Sequence, residues 1–241
     1  MGWITRLLGG ATVLGGLSLP FAMATAASID QPLVLELFTS EGCSSCPPAD
    51  AYAAELARTR PDLLVLDFHV DYWNALGWHD PFSLAAATAR QQRYAGLLQT
   101  ELYTPQLVVG GTAQAIGSAR AEVQSAITQA EAGRQARPHV ALALSRQNGQ
   151  IRITVGSGAG TAQLWLVGYD TAHRTPIGRG ENAGLTETEA DIVRSIRPVA
   201  NWSGGPLGLA VAPPAGERAA ILLQSTDGTI LAAAVLPSAA S

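Results

Sequence analysis

The chain has 241 residues and a formal net charge of -4, and all 15 of its basic residues are arginine. The absence of lysine excludes Schiff-base catalysis and a P-loop lysine. Mild acidity without a basic run argues against nucleic acid and anionic lipid as partners.

In chain order, Arg6, the apolar stretch Leu7 to Phe21 and the small-residue sites Ala22-Met23-Ala24 or Ala24-Thr25-Ala26 read as an export signal over residues 1–26. A retained anchor or a core helix are the alternatives. Gly9, Gly10, Gly15, Gly16 and Pro20 interrupt the stretch, and it is shorter than the ~20 apolar residues a spanning helix needs. Export implies a periplasmic or secreted protein, without stable membrane insertion of the mature chain, in a compartment where disulfides persist.

Leu33 to Phe38 is an apolar run of strand length, the pattern of a strand covered on both faces. A helix follows. Ala49, Tyr52, Ala53, Leu56 and Ala57 share one face, which leaves Asp50, Glu55 and Arg58 outward, and Pro47 and Pro48 suit the first turn. Between strand and helix lie the two cysteines of the chain, Cys43 and Cys46. A helix N-terminus favours a thiolate, the attacking species in disulfide exchange. The catalytic candidates are therefore Cys43 as the attacking and more exposed sulfur and Cys46 as the resolving one. A static cross-link, or half of a zinc site, is the plainer reading of the same spacing.

Leu63 to Val70 is a second strand, expected to run parallel to the first. Leu64, Leu66, Phe68 and Val70 share one face, and Asp67, His69 and Asp71 the other. Ligands gather at the carboxyl edge of such sheets, so His69 and Asp71 are accessory candidates; satisfied polar groups under a loop are the alternative. Residues 72–98 form a helical insertion, with Asp80-Pro81 as N-cap and first turn. Its aromatic start, Tyr72 to His79, suits a wall over the cysteines, a binding surface or a hydrophobic plug. Tyr103 to Val109 is a strand entered through Pro105, turning at Gly110-Gly111 into Thr112 to Ile116. Ser118 then caps a last helix with Gly133 just past its end.

The signals change at Ala132 to Pro138, from alternating strands and helices to strands and turns alone. This divides the chain into an α/β domain at 27–137 and a β-sandwich-like domain at 138–241. Strands are expected at Val140–Leu144, Ile151–Val155, Gln163–Tyr169, Asp191–Ile196, Leu207–Val211, Ala219–Gln224 and Thr229–Leu236, with Asn148-Gly149 and Asp227-Gly228 as hairpin turns. Arg179 to Gly184 lies in a long loop, either a solvated turn or a docking loop beside the cysteines.

Cys43-Ser44-Ser45-Cys46 and Thr104-Pro105, in this order of elements, resemble the thioredoxin fold. That resemblance implies a cis proline at Pro105 facing the cysteine pair, with Thr104 and Pro105 as substrate-binding residues that offer backbone to a peptide. One departure concerns the buried acid such proteins place six residues before the first cysteine. Leu37 stands there, with Glu36 and Glu41 as the substitutes on offer and Glu36 expected on the opposite face.

A longer similarity rests on Glu36 to Asp50, His69-Val70-Asp71-Tyr72-Trp73, His79-Asp80-Pro81, Tyr103-Thr104-Pro105-Gln106 and Arg179 to Gly184. On these the chain is similar to the exported bacterial proteins known as domain of unknown function 1223, which implies fold and export but no substrate. The reading that follows is an exported thiol–disulfide oxidoreductase with Cys43 and Cys46 catalytic, Thr104 and Pro105 binding substrate, and Glu41, His69 and Asp71 as accessory groups. It needs no cofactor and no metal, and its partners are protein or small-molecule thiols and disulfides and a redox partner protein. Two alternatives stand beside it: a Cu(I) or Zn(II) module in which His69 or His79 joins the thiolates, and a non-catalytic binding protein with a structural disulfide.

Overall fold

A computed structural model describes residues 1–2 and 31–237; the expected export segment lies outside the described residues. Among them, no helix is long and apolar enough to cross a membrane.

The first half runs β1 (Leu33–Thr39), α1 (Pro47–Thr59), β2 (Leu63–His69), a 3-10 turn (Tyr72–Leu76), α2 (Ala85–Leu98), β3 (Gln106–Val109), β4 (Ala113–Ile116) and α3 (Arg120–Gln135). Strands alone follow: β5 (Leu142–Gln147), β6 (Gln150–Val155), β7 (Ala162–Pro176), β8 (Thr186–Trp202), β9 (Leu207–Val211), β10 (Arg218–Ser225) and β11 (Ile230–Val235). β1 and β2 are parallel and in register from Leu33 opposite Leu63 to Thr39 opposite His69. Their carboxyl ends, and the groups they carry, therefore lie side by side.

Alternation along β1 and β2 sends side chains to two cores. Leu35, Leu37 and Val65 pack with Ala53 and Leu56 of α1 and Val123 and Ile127 of α3. Val34, Phe38, Leu66, Phe68 and Val70 pack with Tyr94 of α2 and continue into Val167, Val193 and Leu222. Each such side chain contributes roughly 1.5–3 kcal/mol by leaving water. β5, β6 and β9 form a second sheet, whose Leu144, Ile151 and Ile153 meet Leu164, Leu166 and Ile221 across a third core.

The segments divided at residue 138 in sequence share one sheet. Its strand order is β11-β10-β7-β8-β2-β1-β3-β4, joined where Asp67 of β2 pairs with Ile192 of β8 in parallel. A second junction is made by two turns. Gly111 has φ +76, and a Cβ there would stand 1.9 Å from the carbonyl oxygen of Gly228, while the Ile230 N–H donates to the Gly110 carbonyl at 3.0 Å.

Three local expectations are corrected. Asp50 does not face outward on α1 but is buried, because β8 lies across the side of the helix that an isolated α/β domain would leave to water. Asp80 caps no helix, since its carboxylate is taken by other groups and α2 starts at Ala85 behind Leu84. α3 starts at Arg120 behind Ala119 without a side-chain cap and runs through Gly133 to Gln135.

Candidate functional site

Cys43 and Cys46 occupy the turn between β1 and α1 and form a disulfide. The turn is tight because Cys43 N–H donates to the Ser40 carbonyl at 3.0 Å and Cys46 N–H to the Cys43 carbonyl at 3.1 Å. Pro47 and Pro48 follow at the first helical positions, where a missing N–H costs nothing. Opposite, the Thr104–Pro105 peptide is cis. The Thr104 hydroxyl donates to Cys43 Sγ at 3.3 Å, and Ser45 Oγ lies 3.4 Å from the same sulfur.

Cys43 is not the exposed member of the pair, for both cysteines are 0% exposed. The cover comes from two segments. Trp73 Nε1 donates to Thr104 Oγ1 at 2.8 Å. From the loop between β7 and β8, Asn182 Nδ2 donates to the carbonyls of Glu41 at 2.9 Å and Cys43 at 3.0 Å, and Glu181 accepts from the Ser44 N–H at 3.2 Å. Only Ser44 and Ser45 of the Cys-x-x-Cys turn reach solvent.

Behind the turn lies a buried polar cluster: Glu41, Asp50, Asp67, His69, Asp80, Glu187 and Glu189. His69 Nδ1 contacts Asp80 Oδ2 at 2.7 Å; its Nε2 faces Glu189 Oε1 at 3.5 Å and Asp67 Oδ2 at 3.9 Å. Asp80 also accepts from Ser40 Oγ, the Glu41 N–H and the Phe82 N–H. Asp50 Oδ1 accepts from Thr39 Oγ1 at 2.6 Å, and Glu41 Oε2 from Trp78 Nε1 at 2.7 Å. Seven atoms of this cluster have no hydrogen-bond partner: Glu41 Oε1, Asp50 Oδ2, Asp67 Oδ1, His69 Nε2, Glu187 Oε2 and both carboxylate oxygens of Glu189.

A family model described as "Protein of unknown function (DUF1223)" matches residues 34–224, which takes in the disulfide, Thr104-Pro105 and the buried cluster. The chain belongs to that family. Among solved structures, this DUF1223 protein is similar to AGR_C_4864 from Agrobacterium tumefaciens at 26% identity and a TM-score of 0.74, over 87% of this chain and 95% of that one. It also resembles HBP35 of Porphyromonas gingivalis in fold, at 15% identity and a TM-score of 0.57, over 88% of this chain and 78% of that one. No curated protein matches.

Of the residues singled out in the DUF1223 sequence, Cys43 is bonded to Cys46 and accepts from Thr104, with Pro105 adjoining through its cis bond. Glu41 and His69 belong to the cluster behind them, and both His69 nitrogens face carboxylates rather than sulfur. Asp71 turns away to Thr88, accepting from its hydroxyl at 2.6 Å. Glu36 lies on the opposite face of β1, held by Arg90. Asp50, Asp80, Glu187 and Glu189 were not legible as site residues. The signal for the last two is alternation in Thr186-Glu187-Thr188-Glu189, which puts two acids on one strand face.

Burial is the first cause of the raised carboxyls in this DUF1223 cluster. It lifts Asp67 to about 7, Glu187 to about 8 and Glu189 to about 9, and pushes Glu41 and Asp50 up as well. For His69 burial acts downward, but Glu189, Asp80 and Asp67 outweigh it and hold the imidazole well above its ordinary value. Asp80 is the exception among the acids: burial is again the first influence, yet contact with His69 leaves it below the ordinary value of 3.8.

A stability profile follows. Raised carboxyls keep protons that the unfolded chain releases from about pH 4.5 upward, so the native state binds more protons and stability declines as pH rises. His69 acts with the same sign, because its contribution is lost as pH passes its raised native value. Asp80 acts oppositely, but only at acid pH. The melting temperature of protein kept in chelator is therefore expected to fall from about pH 5 to about pH 9; a flat or rising profile contradicts the charge assignment.

Proposed function

We propose that this chain is an exported thiol–disulfide oxidoreductase whose residues 31–135 form a thioredoxin-like unit. The observation that carries the reading is the Cys43–Cys46 disulfide at a strand-to-helix turn, with the Thr104 hydroxyl on Cys43 Sγ and a cis Thr104–Pro105 peptide beside it. The order of elements, with β1 parallel to β2 and antiparallel to β3, supports the fold part. The Arg6-led apolar stretch supports export.

In the oxidised form the chemistry balances as follows. A substrate thiolate attacks Cys43 Sγ, the Cys43–Cys46 bond breaks, and its electron pair leaves on Cys46. The second substrate thiolate attacks the substrate sulfur of the mixed disulfide, and Cys43 departs as thiolate. Two protons released by the substrate dithiol end on the two cysteines, so the substrate is oxidised by two electrons and the protein reduced. The reverse sequence reduces a disulfide substrate. The Thr104 hydroxyl and the N–H groups at the start of α1 stabilise negative charge on sulfur in either direction.

The substrates fitting this site are protein or small-molecule thiols and disulfides, supplied with electrons or relieved of them by a redox partner. Catalysed oxidation of a reduced dithiol peptide, or reduction of insulin by the pre-reduced protein, tests the reading. Wild-type protein inert in both directions contradicts it.

Access to a fully covered disulfide requires the cover to lift. Asn182 Nδ2 reaches two backbone carbonyls of the cysteine turn and Glu187 Oε1. Removing such bonds shifts an opening equilibrium by about 1 kcal/mol each, so Asn182→Ala is expected to speed reduction of the disulfide by dithiothreitol roughly tenfold or more. An unchanged rate would show that the 179–184 loop does not gate the sulfurs.

A further inference from the structure

We infer that Asp50, Glu187 and Glu189 form a binding site for one hard divalent cation of the manganese, magnesium and calcium class, behind the disulfide. Asp50 comes from α1, and Glu187 and Glu189 from one face of β8. Each brings one carboxylate oxygen to a group whose atoms all lie within 4.8 Å of one another. Oxygens on opposite sides of a cation bound at ~2.1–2.4 Å stand roughly 4–5 Å apart, so the three can share one ion.

The oxygens that would ligate are the ones left over. Thr39 satisfies Asp50 Oδ1 and Asn182 satisfies Glu187 Oε1. Asp50 Oδ2, Glu187 Oε2 and both oxygens of Glu189 have no hydrogen-bond partner. A second, independent pointer is His69. This imidazole is 0% exposed, its Nε2 has no hydrogen-bond partner, and it lies 3.5 Å from Glu189 Oε1. Ligating carboxylates are held in turn by outer-shell polar groups, and His69 is placed to serve as one.

In the metal-free state protons hold these carboxyls neutral, but they leave the hydrogen bonding incomplete. A protonated carboxyl must donate to an acceptor, and Glu189 makes no hydrogen bond with either oxygen. Nor does an arginine neutralise the group. Among the described ion pairs none joins Asp50, Glu187 or Glu189 to arginine, and the buried Arg90 is committed to Glu36. The ligating trio is all oxygen, the donor set that suits manganese, magnesium and calcium.

The test uses the full chain with its disulfide closed, so that no thiolate can act as ligand. Chelator-stripped protein is titrated with manganese chloride and followed by electron paramagnetic resonance and by thermal melting, with magnesium and calcium as competitors. One manganese ion per chain is expected, and at a hundredfold excess over the dissociation constant the melting temperature should rise by roughly 5–10 °C. Bound manganese should broaden the imidazole resonances of His69 before those of the exposed His139. Glu187→Gln combined with Glu189→Gln should abolish the bound ion and the thermal shift, while its metal-free melting temperature at about pH 9 stays at or above that of wild type, because neutral amides there replace buried carboxyls that are losing their protons. Four results overturn the site: no thermal shift with any of the three ions, an ion bound without broadening His69, binding undiminished in the double variant, or a metal-free double variant less stable than wild type at that pH.

Discussion

Cys43→Ser is expected to bring dithiol oxidation and disulfide reduction down to the uncatalysed background, and Cys46→Ser to accumulate a mixed disulfide on Cys43. The two variants differ because the sulfurs have different surroundings. Cys43 Sγ receives the Thr104 hydroxyl and lies beside Ser45, so it is the sulfur presented to the segment before β3, where a substrate strand would lie. Cys46 stands at the N-cap of α1 and serves to expel the substrate sulfur. Without Cys46 the mixed disulfide has no intramolecular exit. Mass spectrometry of each variant, pre-reduced and incubated with a labelled disulfide-bonded peptide whose S–S bond the remaining thiolate can open, alongside turnover, separates the two roles. Cys46→Ser protein that carries no label while wild type turns over would reverse the assignment.

Arg90→Leu is expected to cost about 3–5 kcal/mol, because it leaves the Glu36 carboxylate buried and unpaired. Arg90 lies on α2 and places Nε and Nη2 on the two oxygens of Glu36 in β1, at 2.6 and 3.1 Å. A further contact reaches Gln224 of β10 at 3.3 Å, and the guanidinium sits over the rings of Phe68, Tyr94 and Trp165. One side chain thus ties the insertion to strands from both halves of the sheet. The loss corresponds to a fall in melting temperature of roughly 6–20 °C for a chain of this size. Adding Glu36→Leu should restore much of the stability, since a paired apolar replacement removes both desolvated charges. A double variant no more stable than Arg90→Leu would show that ring packing and the Gln224 contact, rather than the ion pair, carry the cost.

The strand–turn–helix from Leu33 to Thr59 was legible because each of its signals is local: an apolar run, two cysteines, two prolines and a helical repeat. The same locality explains the error at Asp50. A helical repeat shows which face is apolar, but an acid on the other face reads as solvated unless something later in the chain covers it. Here β8, more than a hundred residues on, does so, and it brings Glu187 and Glu189 with it. Those two acids stand in an alternating run whose polar face resembles the wet side of a sandwich strand. At Asp80 the local rule failed for a related reason, since a good N-cap residue before a proline was claimed by His69 and the Glu41 N–H across the sheet edge. The wall of aromatics at Tyr72 to Trp78 and the Arg179 to Gly184 loop were visible as alternatives; their meeting over the cysteines depends on the parallel pairing of β2 with β8, which no local pattern encodes.

The most direct measurement of the central claim is the fate of the Cys43–Cys46 bond when oxidised wild-type protein is mixed with an equimolar dithiol peptide and free thiols are trapped over time. The account predicts that the peptide becomes oxidised as the protein pair becomes reduced, one for one, through an intermediate linked at Cys43. A disulfide that stays closed while the peptide remains reduced, in the wild type and in Asn182→Ala alike, with the pre-reduced protein also leaving a disulfide peptide intact, would contradict it.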